Sequence, residues 1–167
     1  MKKLFYLVFL LSCSTEQETN SKIDSKRDQL IRSQKRWEEL NTGKYSYEIR
    51  RYLGPSLSEM NYEWTKTGFQ SDRAVCRSFQ SGVSMNGGET ILIDQSWTET
   101  GESVGSHSPQ ILSFDQMYRN CIDSYNKTGR VSFTFFQNGL LSSCTNSELK
   151  YFLHEIKIDN IDCTLSG

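Results

Sequence analysis

A chain of 167 residues has room for one ordinary domain, and a domain of that size buries about two thirds of its unfolded surface, so it needs neither metal nor partner to fold. The formal charge is −1, from 19 basic and 20 acidic residues, with no concentrated basic face of the kind a nucleic-acid binder carries. Removing Lys2 and Lys3 with a leader takes the charge from −1 to −3, which also gives no argument for a polyanion or an anionic membrane surface as a partner.

The first residues carry the most specific pattern. Lys2 and Lys3 precede an unbroken apolar run, Leu4 to Leu11, closed by Ser12-Cys13. A charged start, a short greasy core and a small residue at its end read as a signal peptide. The run is far short of the roughly 20 residues that a spanning helix requires, and no later stretch approaches that length. Leu10-Leu11-Ser12-Cys13 resembles the lipobox of bacterial lipoproteins, with Leu11 where a smaller residue is usual. The resemblance implies cleavage before Cys13, lipid attachment to Cys13, and anchorage of the protein to a membrane of the cell envelope. Ser14 in place of Asp points to the outer membrane under the sorting rule common among Gram-negative lipoproteins. The expected organisation is a leader over 1–12, a lipidated cysteine and flexible tether over 13–23, and a single domain over 24–167. The tether reading rests on Ser14 to Lys22, which holds no apolar residue.

With Cys13 acylated, Cys76, Cys121, Cys144 and Cys163 remain. An even count in an exported domain predicts two disulfides, for which three connectivities exist. No two of these cysteines have close ligand spacing, and only His107 and His154 could assist them, so neither a metal nor a cofactor is expected.

A first helix is predicted from about Ser25 to Asn41. Ser25 and Asp28 fit a capping box, Gly43 follows the end, and Leu30, Ile31, Trp37 and Leu40 form the apolar stripe. Tyr45, Tyr47 and Ile49 then alternate with Ser46, Glu48 and Arg50, which predicts a strand with one buried and one wet face. Gly54-Pro55 ends it. Further strands are expected through Met60, Tyr62 and Trp64, from Ala74 to Phe79, and from Thr90 to Trp97 after Asn86-Gly87-Gly88. Thr98 to Pro109 reads as a polar loop.

The second helix is announced by Ser113 and Gln116 as a capping box, with Leu112 and Met117 as a hydrophobic staple. Phe114, Met117, Tyr118, Cys121, Ile122 and Tyr125 share one face, and Gly129 follows. Strands from Val131 to Gln137 and Leu140 to Thr145 flank Asn138-Gly139, a two-residue hairpin signal that would pair Phe136 with Leu141 and Phe133 with Cys144. Cys121 then points from the covering helix toward Cys144, so Cys121–Cys144 with Cys76–Cys163 is the preferred pairing. A last strand, Tyr151 to Ile158, is expected to place Phe152, His154, Ile156 and Ile158 on one side. Helix-then-strands occurs twice, which predicts an α+β fold: an antiparallel sheet of six to eight strands with two helices on one face. A diverged duplication would give the same order.

Trp37, Tyr45-Ser46-Tyr47, Phe114-Asp115-Gln116-Met117-Tyr118, Gly139-Leu140-Leu141 and Glu148-Leu149-Lys150-Tyr151, behind a lipobox leader, resemble a family of bacterial lipoproteins described as domain of unknown function 6174. The likeness spans about residues 30 to 158. The chain has Leu141 where that family usually has Pro, and lacks its close Cys pair after the first strand. The resemblance implies no activity and assigns no functional residue.

Chemistry-bearing motifs are few. Gly101-Glu102-Ser103-Val104-Gly105 matches G-x-S-x-G with His107 nearby, but a hydrolase of that type needs a strained strand-to-helix elbow, and here a polar loop surrounds it. His154 reads as a core or rim histidine and His107 as a solvent-facing one. Glu38-Glu39, Asp159 and Asp162 read as solvated charges rather than an acid/base pair. Lys35-Arg36 and Arg50-Arg51 sit beside aromatics but also beside acids, which argues against a nucleic-acid groove. The expectation is a non-catalytic envelope lipoprotein with no catalytic residue, whose domain binds an envelope protein or ligand or serves a structural role; no oligomeric state is specified. An inhibitor of an envelope enzyme is the alternative, and a small hydrolase using Ser103 a weaker one. Asn86-Gly87-Gly88 and the 98–109 loop are the candidate recognition surfaces, because loops often carry recognition.

Overall fold

The structure is a computed structural model, and it describes the backbone of residues 15–53, 59–85, 90–108 and 110–165. Cys13, Gly54-Pro55 and Asn86-Gly87-Gly88 lie outside the described residues. Two helices, α1 (Thr15–Leu40) and α2 (Phe114–Thr128), accompany seven strands: β1 (Lys44–Leu53), β2 (Glu59–Gln70), β3 (Arg73–Met85), β4 (Thr90–Thr100), β5 (Ser132–Phe135), β6 (Leu141–Thr145) and β7 (Lys150–Ile158). The strands form one antiparallel sheet in the order β4-β3-β2-β1-β7-β6-β5. The fold is therefore α+β with an open antiparallel sheet, made of a four-strand and a three-strand meander joined where β1 pairs with β7.

Helix α1 starts at Thr15, ten residues before the expected Ser25. The stretch expected as a tether holds neither proline nor glycine, and several of its residues extend a helix readily once a downstream turn exists. Ser25 and Asp28 thus lie inside the helix and cap nothing. Leu30, Ser33 and Trp37 are buried at spacings of one helical face, while Ser25 to Gln29 are exposed. Helix α2 follows its signals closely. Ser113 Oγ accepts from the Gln116 N–H at 3.2 Å, Gln116 Oε1 accepts from the Ser113 N–H at 2.8 Å, and Gly129 ends the helix at φ +62°.

Trp37 centres the core. Its ring meets Tyr45 and Phe114 edge-on at centroid distances of 4.9 and 4.8 Å, and Tyr45 stacks on Phe69 at 4.8 Å. Its Nε1 donates to Asp115 Oδ1 at 3.0 Å, and the Tyr45 hydroxyl accepts from the Phe114 N–H at 3.1 Å. A polar network ties both helices to the β5–β6 hairpin. Ser33 Oγ donates to the Gly139 carbonyl (2.7 Å), and the Tyr118 hydroxyl bonds Ser33 Oγ (2.7 Å) while accepting from the Leu141 N–H (2.8 Å). Burial pushes the Tyr118 phenol up to about 12, so it stays a donor at every physiological pH.

The sulfurs pair as Cys121–Cys144 and Cys76–Cys163. Phe133 does face Cys144, but Phe135, not Phe136, faces Leu141. The Phe136 N–H bonds the Leu140 carbonyl and Gly139 has φ +83°. The connection is thus a three-residue loop with a left-handed glycine, which consumes one residue more than the expected two-residue turn.

The face of β1 and β2 opposite the helices is not wet, contrary to the alternation of Ser46, Glu48 and Arg50. Ser46 and Glu48 are buried, as are Trp64 and Lys66 on β2. Residues 159–165 return across this face as a strap, pinned to β3 by Cys76–Cys163. Lys66, only 2% exposed, donates to Asp162 Oδ2 at 2.7 Å and to the Thr164 carbonyl at 2.9 Å. The Lys66 ammonium holds the Asp162 carboxyl far below the usual carboxylate range. Gly68 makes the close approach feasible: a Cβ there would lie 2.7 Å from Ile161 Cγ2 and 2.9 Å from Cys76 Sγ.

Candidate functional site

The helices cover only part of the sheet, because β2, β3 and β4 run for 12, 13 and 11 residues and extend past them. On the helix side, the register lines up two rows of side chains across β1 to β4: Tyr47, Thr67, Arg77 and Glu99, then Ile49, Thr65, Phe79 and Trp97. A cleft of about 500 Å³ opens over the part of this floor formed by Tyr47, Ile49, Thr65, Thr67 and Arg77. One wall is the 110–112 segment with Met117 and Asn120 of α2; the other is formed by residues 148–151. Tyr47 donates to the Leu112 carbonyl at 2.8 Å, and Asn120 Nδ2 donates to the Tyr151 hydroxyl at 3.0 Å, which fixes both walls.

Beside the cleft, Glu99 organises the loop that follows β4. Its side chain is 1% exposed and accepts from the Gly105 N–H (2.6 Å), the His107 N–H (2.6 Å) and Ser106 Oγ (2.8 Å). His107 Nδ1 lies 2.8 Å from the same carboxylate, which fixes the proton on Nδ1 in this contact. Burial alone would push the carboxyl up. The backbone and side-chain donors outweigh it and hold Glu99 at about 2. The His107 ring stacks on Trp97 at 4.5 Å, Trp97 stacks on Phe79 at 5.2 Å, and the Arg77 guanidinium lies 5.5 Å from the Trp97 centroid. What read as a polar loop from residue 98 is thus the end of β4, a one-turn 3₁₀ helix over Gly101–Ser103, and an anchored segment. Nothing in local sequence signals this. A glutamate in an alternating polar strand looks solvated until the chain folds back onto it.

Ser103 takes no nucleophile's position. Its Oγ donates to the Thr100 carbonyl at 2.8 Å and accepts from the Thr100 N–H at 3.0 Å, on an exposed turn that no helix follows. His107 is engaged by Glu99, and Ser106 Oγ approaches the same Nδ1 at 3.3 Å. A serine triad needs the hydroxyl and the carboxylate on opposite ring nitrogens.

The other sequence candidates disperse. His154 is exposed rather than packed in the core or at its rim, because Ile49 pairs with Leu153 and Glu48 with Glu155, leaving His154 as the extra residue of a β-bulge. The same bulge turns Leu153 inward and leaves Phe152 49% exposed. Asp162 is held by Lys66, Asp159 bonds the Thr42 hydroxyl, and Glu38 and Glu39 are exposed on α1. Arg36 donates to the Asn138 carbonyl, while Arg50 pairs with Glu48 and covers the Trp64 ring at 4.6 Å. Among the described residues no group of three His, Cys, Asp or Glu side chains could hold a metal ion. Compared with known proteins, the chain matches no family model, no curated protein and no solved structure.

Proposed function

We propose that this chain is an exported envelope lipoprotein, anchored through lipid on Cys13 and directed by Ser14 to the outer membrane, whose oxidised body is a non-catalytic binding module working through the cleft beside Arg77. The observation that carries the reading is the pairing of two disulfides with a preformed cleft. Paired cysteines fit an oxidising compartment, and a concave, mixed polar and apolar surface of this volume is the kind that takes a ligand. No helix among the described residues is long and apolar enough to cross a membrane; in this reading acyl chains on Cys13 hold the protein at the bilayer. The polar groups that could do chemistry, Ser103, Glu99 and His107, are spent on holding backbone, which supports binding over catalysis.

Metabolic labelling with palmitate tests the anchor. Wild type is expected to incorporate label and Cys13→Ala to lose it, while the other four cysteines resist alkylation until reduced. Equal labelling of the two proteins, or thiols that react without reductant, overturns the reading.

A further inference from the structure

We infer that the cleft recognises a carboxylate carried on an apolar body, with Arg77 as the residue that receives the carboxylate; this deepens the binding-module reading and rests on it. Two other cations line the cleft. Arg51 faces Glu63 at 4.0 Å across β1 and β2, and Lys150 is exposed at the rim. Arg77 differs from both. It is half-buried, its Nη1 donates to the Ser108 carbonyl at 3.0 Å, and its Nε is sealed from solvent with no hydrogen-bond partner.

The carboxylate directly across the strand pair, Glu99, would be the natural counter-ion. Its oxygens are instead taken by Gly105, Ser106 and His107. Arg77 has no ion-pair partner among the described residues. A guanidinium partly withdrawn from water without a counter-charge is costly, and its planar fork can pair with both oxygens of a carboxylate. Trp97 lies against the guanidinium and limits how it can turn. Ile49, Ile111, Leu112 and Met117 form an apolar stretch within a lining that also holds polar groups, Glu63 and Glu148 among them. Such a pocket rewards a ligand with one acidic end and a hydrocarbon or apolar side-chain body. A free fatty acid and the C-terminal carboxylate of an apolar peptide share that chemistry.

The test is photo-crosslinking of the intact, oxidised protein with an octanoate bearing a diazirine on its chain, followed by peptide mapping. Saturable labelling is expected within residues 110–117 and 148–151, with octylamine failing to compete. Competition by octanoate alone assigns the site to a free fatty acid; competition by N-acetyl-leucine as well assigns it to a peptide terminus. Arg77→Gln should raise the half-saturating concentration roughly tenfold or more, and Arg77→Lys, which keeps the charge, only a few-fold. Retained protection of the four cysteines from alkylation shows that each variant is folded. Labelling of the cleft that octylamine competes away, or that is indifferent to Arg77→Gln, overturns the carboxylate inference and leaves the cleft a binding site. Labelling outside the cleft overturns both.

Discussion

Glu99 concentrates more structural consequence than any other charged side chain on the cleft side of the sheet. With the folded carboxyl at about 2 against an ordinary 4.5, the ionised form favours the folded state. Its contribution is complete above about pH 4.5 and is lost as pH falls toward 2. Glu99→Gln removes charge-assisted bonds to three residues, so it should cost about 2 kcal/mol at pH 7. Denaturant titrations at pH 7 and near pH 2 check this: the two proteins should differ at the first and converge at the second. A difference of the same size at both would mean that packing, not charge, makes Glu99 matter. Gly68 gives a second residue-scale case. Gly68→Ala places a methyl against Ile161 and the Cys76–Cys163 bridge, and should lower stability by about 1–3 kcal/mol, measured as a shift in the thermal midpoint. None of these roles is marked in the sequence around these residues, since each depends on a segment many positions away folding back.

At the scale of elements, legibility followed the locality of the signal. The signals for α2 lie within the helix itself: Ser113, Gln116, Gly129 and an apolar face. The start of α1 escaped because its first turns are stabilised by the helix that follows rather than by a local cap. The β2–β3 turn, where Ser71 and Asp72 have φ +50° and +62°, escaped because its residues are not the Asn-Gly pair such turns usually carry. The bulge at His154 inverted part of a face that alternation alone assigns. The strap was the largest omission. Its pair of buried Lys66 with half-buried Asp162 joins residues 96 apart, a contact no periodicity reports. Its stability is a prediction at this scale. Removing both cysteines of Cys76–Cys163, whose separation is 87 residues, should cost about 4 kcal/mol in the chain-entropy account. It should also expose Lys66, so acetylation with a water-soluble reagent, followed by mass spectrometry, should modify Lys66 in the Cys76→Ala, Cys163→Ala protein and spare it in wild type. Modification of Lys66 in both would show that the strap does not seal it.

For the whole molecule, the α+β class, the antiparallel sheet and the single helix-bearing face were readable from element order, because helices and strands segregate in two runs. The strand order was not. β1 and β7 lie at opposite ends of the domain sequence, and their pairing is what places Tyr47 and Ile49 midway across the sheet, under the cleft. The cleft itself follows from a mismatch of lengths: a wide, long-stranded sheet against two helices that cover only part of it. The stretch of α1 from Thr15 to Leu30, where the core begins, spans about 22 Å at the helical rise of roughly 1.5 Å per residue. A lipid on Cys13 would therefore hold the body off the bilayer on a helical stalk rather than on a slack tether.

Non-reducing peptide mapping of the protein recovered from its own cells tests the account most directly. An exported, lipid-anchored and oxidised molecule predicts an N-terminal peptide that begins at an acylated Cys13, together with linked peptides joining Cys76 to Cys163 and Cys121 to Cys144. An unmodified Cys13 with its leader retained, or reduced cysteines throughout, would contradict it.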